Sequence, residues 1–213
     1  MPATYRRWFP WKVCRDGSPA RHVQAFLEAV QPPPYARIAD LGGDEQTWAS
    51  FDHQFEVTLV RSACEPLPTK SSGRFAVVMA DFCNLREVFA PRQFDIVYSH
   101  SMIEHLGDEP RQARFAREVR RLAYGYWIHT PSDRSPLEAH TGLPFYWQLP
   151  ELLREGLLVH GSGASAPAWL RTLAHTRPLS RERMVELFPH ARIHIGHILG
   201  IETWYAAYRP FGL

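Results

Sequence analysis

The segment from Phe94 to Leu106 most restricts how this chain can fold, because an apolar strand runs directly into a polar, ionisable turn. Its first half, Phe94 to Tyr98, is typical of a strand buried on both faces. Its second half contains a glutamate, two serines and two histidines. A second junction of the same kind, Arg37 to Asp44, lies upstream. Ligands of open α/β sheets bind where the carboxyl ends of strands meet loops, so the two junctions predict one shared site.

Strand-like and helix-like segments alternate along the chain, which predicts a parallel sheet covered on both faces. The region 131–178 interrupts this rhythm with Pro, Gly, His and aromatic residues and one helical piece near 150–158, and it is typical of a binding insertion. Two β-rich segments around Gly200 predict an antiparallel pair that closes the sheet. The expected strands are 36–41, 57–60, 75–80, 94–98, 125–129, 192–201 and 203–208, and the expected helices are 20–30, 44–51, 108–123 and 180–188.

Composition excludes several classes of function. The chain has 213 residues, enough for one domain with a sizeable core, and its net charge of +2 gives no electrostatic case for a nucleic-acid partner. It lacks an apolar run long enough to cross a bilayer, and residues 1–14 lack the apolar stretch of a secretory signal. Three widely spaced cysteines argue against a disulfide framework, so we expect a cytoplasmic protein.

The first junction reads Asp40-Leu41-Gly42-Gly43-Asp44. Glycine lets the backbone turn tightly and approach a ligand, and a helix that follows offers free N–H groups. This segment resembles motif I of the class I S-adenosylmethionine-dependent methyltransferases, which usually reads Asp-x-Gly-x-Gly-x-Gly. Asp44 stands at the second of those glycines and Gln46 at the third.

The resemblance covers about residues 35–211 and implies a Rossmann-like fold. We expect an α/β domain with a seven-stranded, mostly parallel sheet, helices on both faces and an antiparallel closing edge. Residues 1–34 would form an N-terminal arm and helix, residues 35–213 the methyltransferase domain, and about 131–178 a lid or substrate insertion within it. The cofactor implied is S-adenosylmethionine.

Two further strand ends bear on the cofactor. The residue after the second strand normally grips the ribose with a carboxylate, but Arg61, which stands in that region, cannot accept a hydrogen bond. Asp81 and Phe82 follow the third strand, at the position that meets the adenine in the family. The complete set of cofactor-binding residues that the resemblance implies is Asp40, Gly42, Gly43, Asp44, Arg61, Asp81, Phe82, Ser99 and His100.

The catalytic candidates come from two motifs. The fourth strand runs into a Glu-His-Leu turn, as in the family's small-molecule branch, which places Glu104 and His105 at the site. The later segment resembles a subset of bacterial glycan and natural-product methyltransferases that read Thr-Pro-Asn and then Glu-x-His-x-Gly-Leu-Pro, with Ser132 here in place of the Asn. The resemblance implies that His105 and His140 are the candidate bases, because imidazole titrates near neutrality, and that Glu104 orients one of them. The expected substrate-binding residues are His129, Glu138, Tyr146 and Trp147.

The activity implied is methyl transfer to a small-molecule acceptor, with a hydroxyl as the favoured acceptor group. One alternative is a non-catalytic methyltransferase-like binding protein, suggested by Arg61 and the altered glycine motif. A second alternative is a metal-dependent enzyme that uses His105, His129, Glu138 and His140. Some class I families hold a metal with Glu-x-x-Glu-His, but Ser101 replaces the first Glu here, so no metal is expected. Apolar end strands are compatible with a homodimer.

Overall fold

The computed structural model describes residues 19–62, 74–161 and 168–212, and within these ranges the chain forms one seven-stranded sheet and six α-helices. The strands are β1 (Arg37–Leu41), β2 (Glu56–Ser62), β3 (Ala76–Ala80), β4 (Ile96–His100), β5 (Gly125–Pro131), β6 (Arg192–Ile198) and β7 (Ile201–Arg209). The helices are α1 (Pro19–Val30), α2 (Glu45–Ala49), α3 (Glu109–Leu122), α4 (Glu151–Gly161), α5 (Ala168–His175) and α6 (Arg181–Leu187).

The sheet has the strand order β3-β2-β1-β4-β5-β7-β6. The first five strands run parallel, and β7 is antiparallel to both β5 and β6. The fold class expected from the sequence is therefore confirmed. Because the five parallel strands end at the same edge of the sheet, their loops meet there.

Helices cover both faces of the sheet. On one face, Phe26 of α1 and Trp48 of α2 pack against β1, β2 and β4 through residues such as Tyr98. On the other face, Phe115 of α3 and Met184 of α6 belong to a second buried cluster. The central strands are apolar on both sides because each side faces a helix.

The element bounds differ from the expected ones mainly in the middle of the chain. The fourth strand runs from Ile96 to His100 rather than over 94–98. Asp95 lies just before the strand, and its carboxylate accepts hydrogen bonds from the backbone and guanidinium of Arg37. Helix α5 was not predicted, and it lies inside the region expected to be an irregular insertion. The expected aromatic arm at residues 1–18 and the expected loop at 66–73 lie outside the described residues. Within the described ranges, every helix is too short or too polar to span a membrane.

Candidate active site

Four of the predicted residues form one buried cluster at the carboxyl edge of the sheet. His105 Nε2 lies 2.9 Å from His140 Nε2, and His140 Nδ1 lies 2.8 Å from the Glu138 Oε1 atom. Glu104 Oε1 is 3.9 Å from His105 Nε2 and 4.0 Å from His140 Nε2. The structure therefore brings the two candidate bases into direct contact, each beside a carboxylate.

The local backbone explains how these side chains meet. After β4, Ser101 takes a left-handed conformation (φ 50°), which turns the chain into a short 3₁₀ helix over Ile103–His105. Glu138 also holds its own loop, because its Oε2 atom accepts hydrogen bonds from the backbone of His140 and from the backbone and hydroxyl of Thr141. The His140 ring is thus fixed by the same carboxylate that shapes the loop.

Two threonines complete the cluster, and the sequence did not single them out. The Thr130 hydroxyl at the end of β5 donates to Glu104 Oε2 at 3.0 Å. The Thr176 hydroxyl, just after α5, lies 3.4 Å from His105 Nδ1. Thr130 belongs to the Thr-Pro segment already noted, so its position was a usable signal. Thr176 offered none, because it follows a helix that was not predicted.

The ionisable residues of the cluster differ in the direction of their pKa shifts. Burial raises the pKa of Glu104 to about 7 and lowers the pKa of His105 to about 3. Burial acts to lower the pKa of His140 as well, but the hydrogen bond to Glu138 and the charges of Glu104 and Glu138 outweigh it, so this pKa is raised. Hence His105 is neutral near pH 7, and His140 is the member that can take up a proton.

The first junction is a tight turn that is filled by the protein's own side chains. The Asp40 carboxylate is fully buried and accepts a hydrogen bond from Trp48 Nε1 at 2.7 Å. A Cβ atom on Gly43 would lie 1.7 Å from Asp40 Oδ2, and one on Gly42 would lie 2.3 Å from Met102 Cε. Asp44 is the N-cap of α2, because its side chain accepts from the Thr47 backbone. Packing against Asp40 therefore requires glycine at position 43, and the left-handed backbone (φ 88°) favours it at position 42.

Arg61 acts electrostatically on the carboxyl at this junction. Burial raises the pKa of Asp40 to about 7, and the hydrogen bond from Trp48 and, to a smaller extent, the buried guanidinium of Arg61 act in the opposite direction. Within the described residues, Asp40 Oδ1 is buried without a hydrogen-bond partner. Arg61 thus lies near the first junction, where its charge favours the ionised form of Asp40 without outweighing burial.

The remaining cofactor candidates lie in different environments. Asp81 is exposed, and its Oδ1 atom pairs with Arg111 at 3.2 Å and accepts from the Cys83 backbone. The Phe82 ring is buried in the core cluster, which leaves it no exposed face for stacking on an adenine. The Ser99 hydroxyl is buried and donates to the Leu41 carbonyl at 2.9 Å, so it joins β4 to β1.

The expected substrate residues divide between two places. Tyr146 is buried and its ring contacts Trp147, whose face lies 5.6 Å from the Arg154 guanidinium carbon. The ring contacts of His129 are with a different group of residues from the His105–His140 pair. Its ring stacks on that of His100 with centroids 4.1 Å apart and contacts that of His22 of α1 at 4.6 Å. His22 was not predicted, because nothing in its local sequence links it to residues 100 and 129.

Solved methyltransferase structures share this fold. A 1,6-didemethyltoxoflavin-N1-methyltransferase from Burkholderia thailandensis, solved with 1,6-didemethyltoxoflavin and S-adenosylhomocysteine, is 16% identical over 93% of this chain and 81% of its own, with a TM-score of 0.56. A SAM-dependent methyltransferase from Archaeoglobus fulgidus is 15% identical over 89% of this chain and 90% of its own, with a TM-score of 0.55. No protein-family model matches the sequence, and no curated protein is significantly similar to it.

A third neighbour is longer than this chain. It is the phosphoethanolamine N-methyltransferase 2 of Haemonchus contortus, solved with phosphomonomethylethanolamine and S-adenosylhomocysteine, which is 14% identical with a TM-score of 0.54. The match covers 89% of this chain and 52% of that one, so this chain spans about half its length. The likeness establishes the class I methyltransferase fold.

Proposed function

We propose that this protein transfers the methyl group of S-adenosylmethionine to a hydroxyl of a small-molecule acceptor, of the glycan or natural-product kind. The observation that carries the proposal is the His105–His140 pair, backed by Glu138 and Glu104, at the carboxyl edge of a methyltransferase fold. That edge is where such folds bind ligands. The neighbours whose structures contain S-adenosylhomocysteine support the same cofactor.

The residues at the first junction fit S-adenosylmethionine in part. Asp40 Oδ1 is a buried acceptor without a partner among the described residues, which suits a donor such as the cofactor's ammonium group. Asp81 is exposed after β3, where it can accept from an adenine amine. Arg61 offers only donors, so the ribose hydroxyls gain no carboxylate from β2. Asp40, Gly42, Gly43 and Asp81 are therefore the residues we assign to the cofactor.

The chain's own residues supply proton transfer and alignment. The cofactor supplies an activated methyl group when bound, so the protein's main task is to align the acceptor and remove its proton. In the neutral cluster, His140 donates from Nδ1 to Glu138 and accepts at Nε2 from His105. After proton uptake, His140 donates from both nitrogens, and His105 switches to donate from Nδ1 towards Thr176. In both states every imidazole N–H has a hydrogen-bond acceptor. The pair can therefore hold the proton that the substrate hydroxyl loses.

The insertion provides half of this machinery. Glu138 and His140 lie in its first loop, and Thr176 follows α5. The backbone N–H of Arg177 donates to the Glu104 carbonyl at 2.7 Å, which ties the far end of the insertion to the β4 turn. We assign residues 131–178 to acceptor binding on this ground, with Tyr146 and Trp147 as its aromatic wall.

The decisive experiment is calorimetric titration of the purified chain with S-adenosylmethionine and S-adenosylhomocysteine. We expect micromolar binding, which corresponds to about 8 kcal/mol. The variant His140→Asn should keep this affinity, because His140 is assigned to the acceptor, and should lose transfer to a panel of phenol and sugar acceptors. If the wild-type chain binds neither compound, with or without the panel, the proposal is wrong and a non-catalytic binding protein remains.

A further inference from the structure

Three histidines that the proposed reaction does not use form a second cluster. His100 ends β4 and His129 lies beside it on β5, because the two residues are register partners in neighbouring parallel strands. His22 of α1 lies over both, with ring centroids 4.7 Å from His100 and 4.6 Å from His129. The helix and the two strands therefore bring three imidazoles together that are far apart in the sequence.

The three rings share an unusual property. Within the described part of the chain, His22 Nδ1, His100 Nδ1 and His129 Nε2 are each buried without a hydrogen-bond partner. Buried polar atoms in proteins are normally paired, so three such nitrogens in one cluster are available to a shared ligand. The His105–His140 pair differs, because its facing nitrogens hydrogen-bond to each other.

The chemistry of the three rings suits a cation. A ring nitrogen from each histidine lies within 4.8 Å of a ring nitrogen of the other two. Burial, with a smaller contribution from neighbouring histidines, lowers the pKa of His22 to about 4 and that of His100 to about 3. The rings are thus neutral near pH 7, which is the form that ligates metals.

The surroundings are also those of a metal site. The Trp204 ring borders the cluster, 5.2 Å from His22 and 5.1 Å from His129, and limits access of water. Ser101 Oγ lies 3.4 Å from His129 Nδ1. The second ring nitrogen of His129 thus has a polar neighbour, while Nε2 remains for the ion. Ligating histidines commonly use their second nitrogen in this way.

We propose that His22, His100 and His129 bind one divalent late first-row transition-metal ion, with Zn²⁺ as the probe for the tests below. Three imidazoles suit Zn²⁺, Cu²⁺ and Ni²⁺ and leave a fourth position open. Bonds of about 2.0–2.1 Å to Zn²⁺ require ligating nitrogens about 3.4 Å apart, so nitrogens that lie within 4.8 Å of one another approach by at most about 1.4 Å on binding. The ion joins α1 to β4 and β5, and this role is independent of methyl transfer.

The first test measures Zn²⁺ binding to the untagged, chelator-treated full chain in competition with a chromogenic chelator. We expect one tight equivalent, and at least a roughly tenfold loss of affinity in His22→Gln and in His100→Gln. His190→Gln, which changes an exposed histidine, should leave the affinity unchanged. If His140→Gln abolishes binding while His22→Gln does not, the ion belongs to the other cluster and the proposal is wrong.

A second measurement needs no variant and so does not depend on folding of the mutants. Amide hydrogen exchange in α1 of the wild-type chain should slow at least about tenfold when one equivalent of Zn²⁺ is added, because the ion fastens α1 to the sheet. Unchanged exchange in α1, or a wild-type chain that takes up no Zn²⁺ in the competition assay, would overturn the proposal.

Discussion

At the residue scale, Glu138 controls the protonation of His140. Its carboxylate binds His140 Nδ1 at 2.8 Å and, together with Glu104, outweighs the burial that would lower the pKa of this histidine. Glu138→Gln keeps the hydrogen-bond acceptor and removes the charge. The pKa of His140 should then fall below the ordinary histidine value, and the acidic limb of the pH–rate profile should move to lower pH. The rate at neutral pH should drop about tenfold or more, since a weaker base takes up the acceptor's proton.

Two readouts check this prediction. NMR titration of the His140 ring follows its pKa directly, and the pH–rate profile follows its effect on transfer. Glu155→Gln is the matched control, because Glu155 is exposed on α4. A raised or unchanged pKa in Glu138→Gln would show that the carboxylate does not govern His140.

Gly43 allows a sharper test of the turn after β1. A Cβ atom added at Gly43 would lie 1.7 Å from Asp40 Oδ2. The Asp40 carboxylate is fully buried and hydrogen-bonded to Trp48, so it cannot move aside. We expect Gly43→Ala to lower the free energy of unfolding by about 3 kcal/mol and to weaken S-adenosylmethionine binding. Urea denaturation and calorimetry measure the two effects.

Gly156→Ala is the opposite case in the same experiment. Gly156 lies inside α4, and an added Cβ there would meet no atom within 4 Å. The free energy of unfolding of this variant should rise by about 0.5–1 kcal/mol, because alanine loses less backbone entropy than glycine when a helix forms. Equal effects of the two substitutions would contradict the packing explanation for Gly43.

The sequence was sufficient to select the candidate residues near the ends of strands that the structure brings together. His105 and Glu104 follow β4 directly, and His140 follows a recognisable motif, so local position was informative. Trp48 and His22 were not found, because their contacts with Asp40 and with His129 arise only when helices dock on the sheet. A sequence carries no local signal for such contacts.

At the element scale, the strands were predictable because in each of them a turn follows an apolar run in the sequence. β1 and β3 were expected to within one residue, whereas β4 and β5 extend two residues further than expected. The extra residues are Ser99 and His100 in β4 and Thr130 and Pro131 in β5, and three of the four are polar. They remain in the sheet because neighbouring strands supply backbone hydrogen bonds that the side-chain pattern does not reveal.

The β6–β7 hairpin carries a strained residue at its tip. Leu199 and Gly200 have φ angles of 48° and 81°, which is the pattern of a type I′ turn, and Leu199 is 98% exposed. Leucine disfavours this conformation, while asparagine accepts it. Leu199→Asn should therefore raise the free energy of unfolding by about 1 kcal/mol in urea denaturation. Leu199→Ala removes the same exposed side chain without the conformational gain, so equal stability of the two variants would argue against strain.

At the scale of the whole molecule, strand order could not be derived from periodicity. Alternating strands and helices predict a parallel, covered sheet, but many orders satisfy that pattern. The resemblance to a known fold implied seven strands and an antiparallel closing edge, and the sheet confirms both, whereas the strand order is seen only in the structure. The meeting of His22, His100 and His129 could not be derived from the sequence, because it depends on which strands become neighbours and on where α1 packs.

That clustering makes the stability of the whole fold sensitive to acid. Burial lowers the pKa of His22 to about 4 and of His100 and His105 to about 3, and it holds the pKa of His129 well below 6.5. In the unfolded chain each histidine binds a proton below about pH 6.5. Between pH 6.5 and 4 the unfolded state therefore binds more protons at these four positions, and acid favours unfolding.

Asp40 and Glu104 act in the opposite direction, because burial raises both pKa values to about 7 and the folded state keeps protons that unfolded carboxyls have lost. His140, whose pKa is raised, is largely protonated in both states below pH 6 and adds little. Four histidines therefore outweigh two carboxyls, and the free energy of unfolding of the metal-free protein should fall by at least about 1 kcal/mol per pH unit from pH 6 to 5. Urea denaturation in a chelating buffer at each pH measures this slope. Glu104→Gln removes one opposing group and should steepen the fall, whereas His190→Gln, at an exposed histidine, should leave it unchanged. Stability that rises towards pH 5 would mean that the buried histidines are protonated in the folded state.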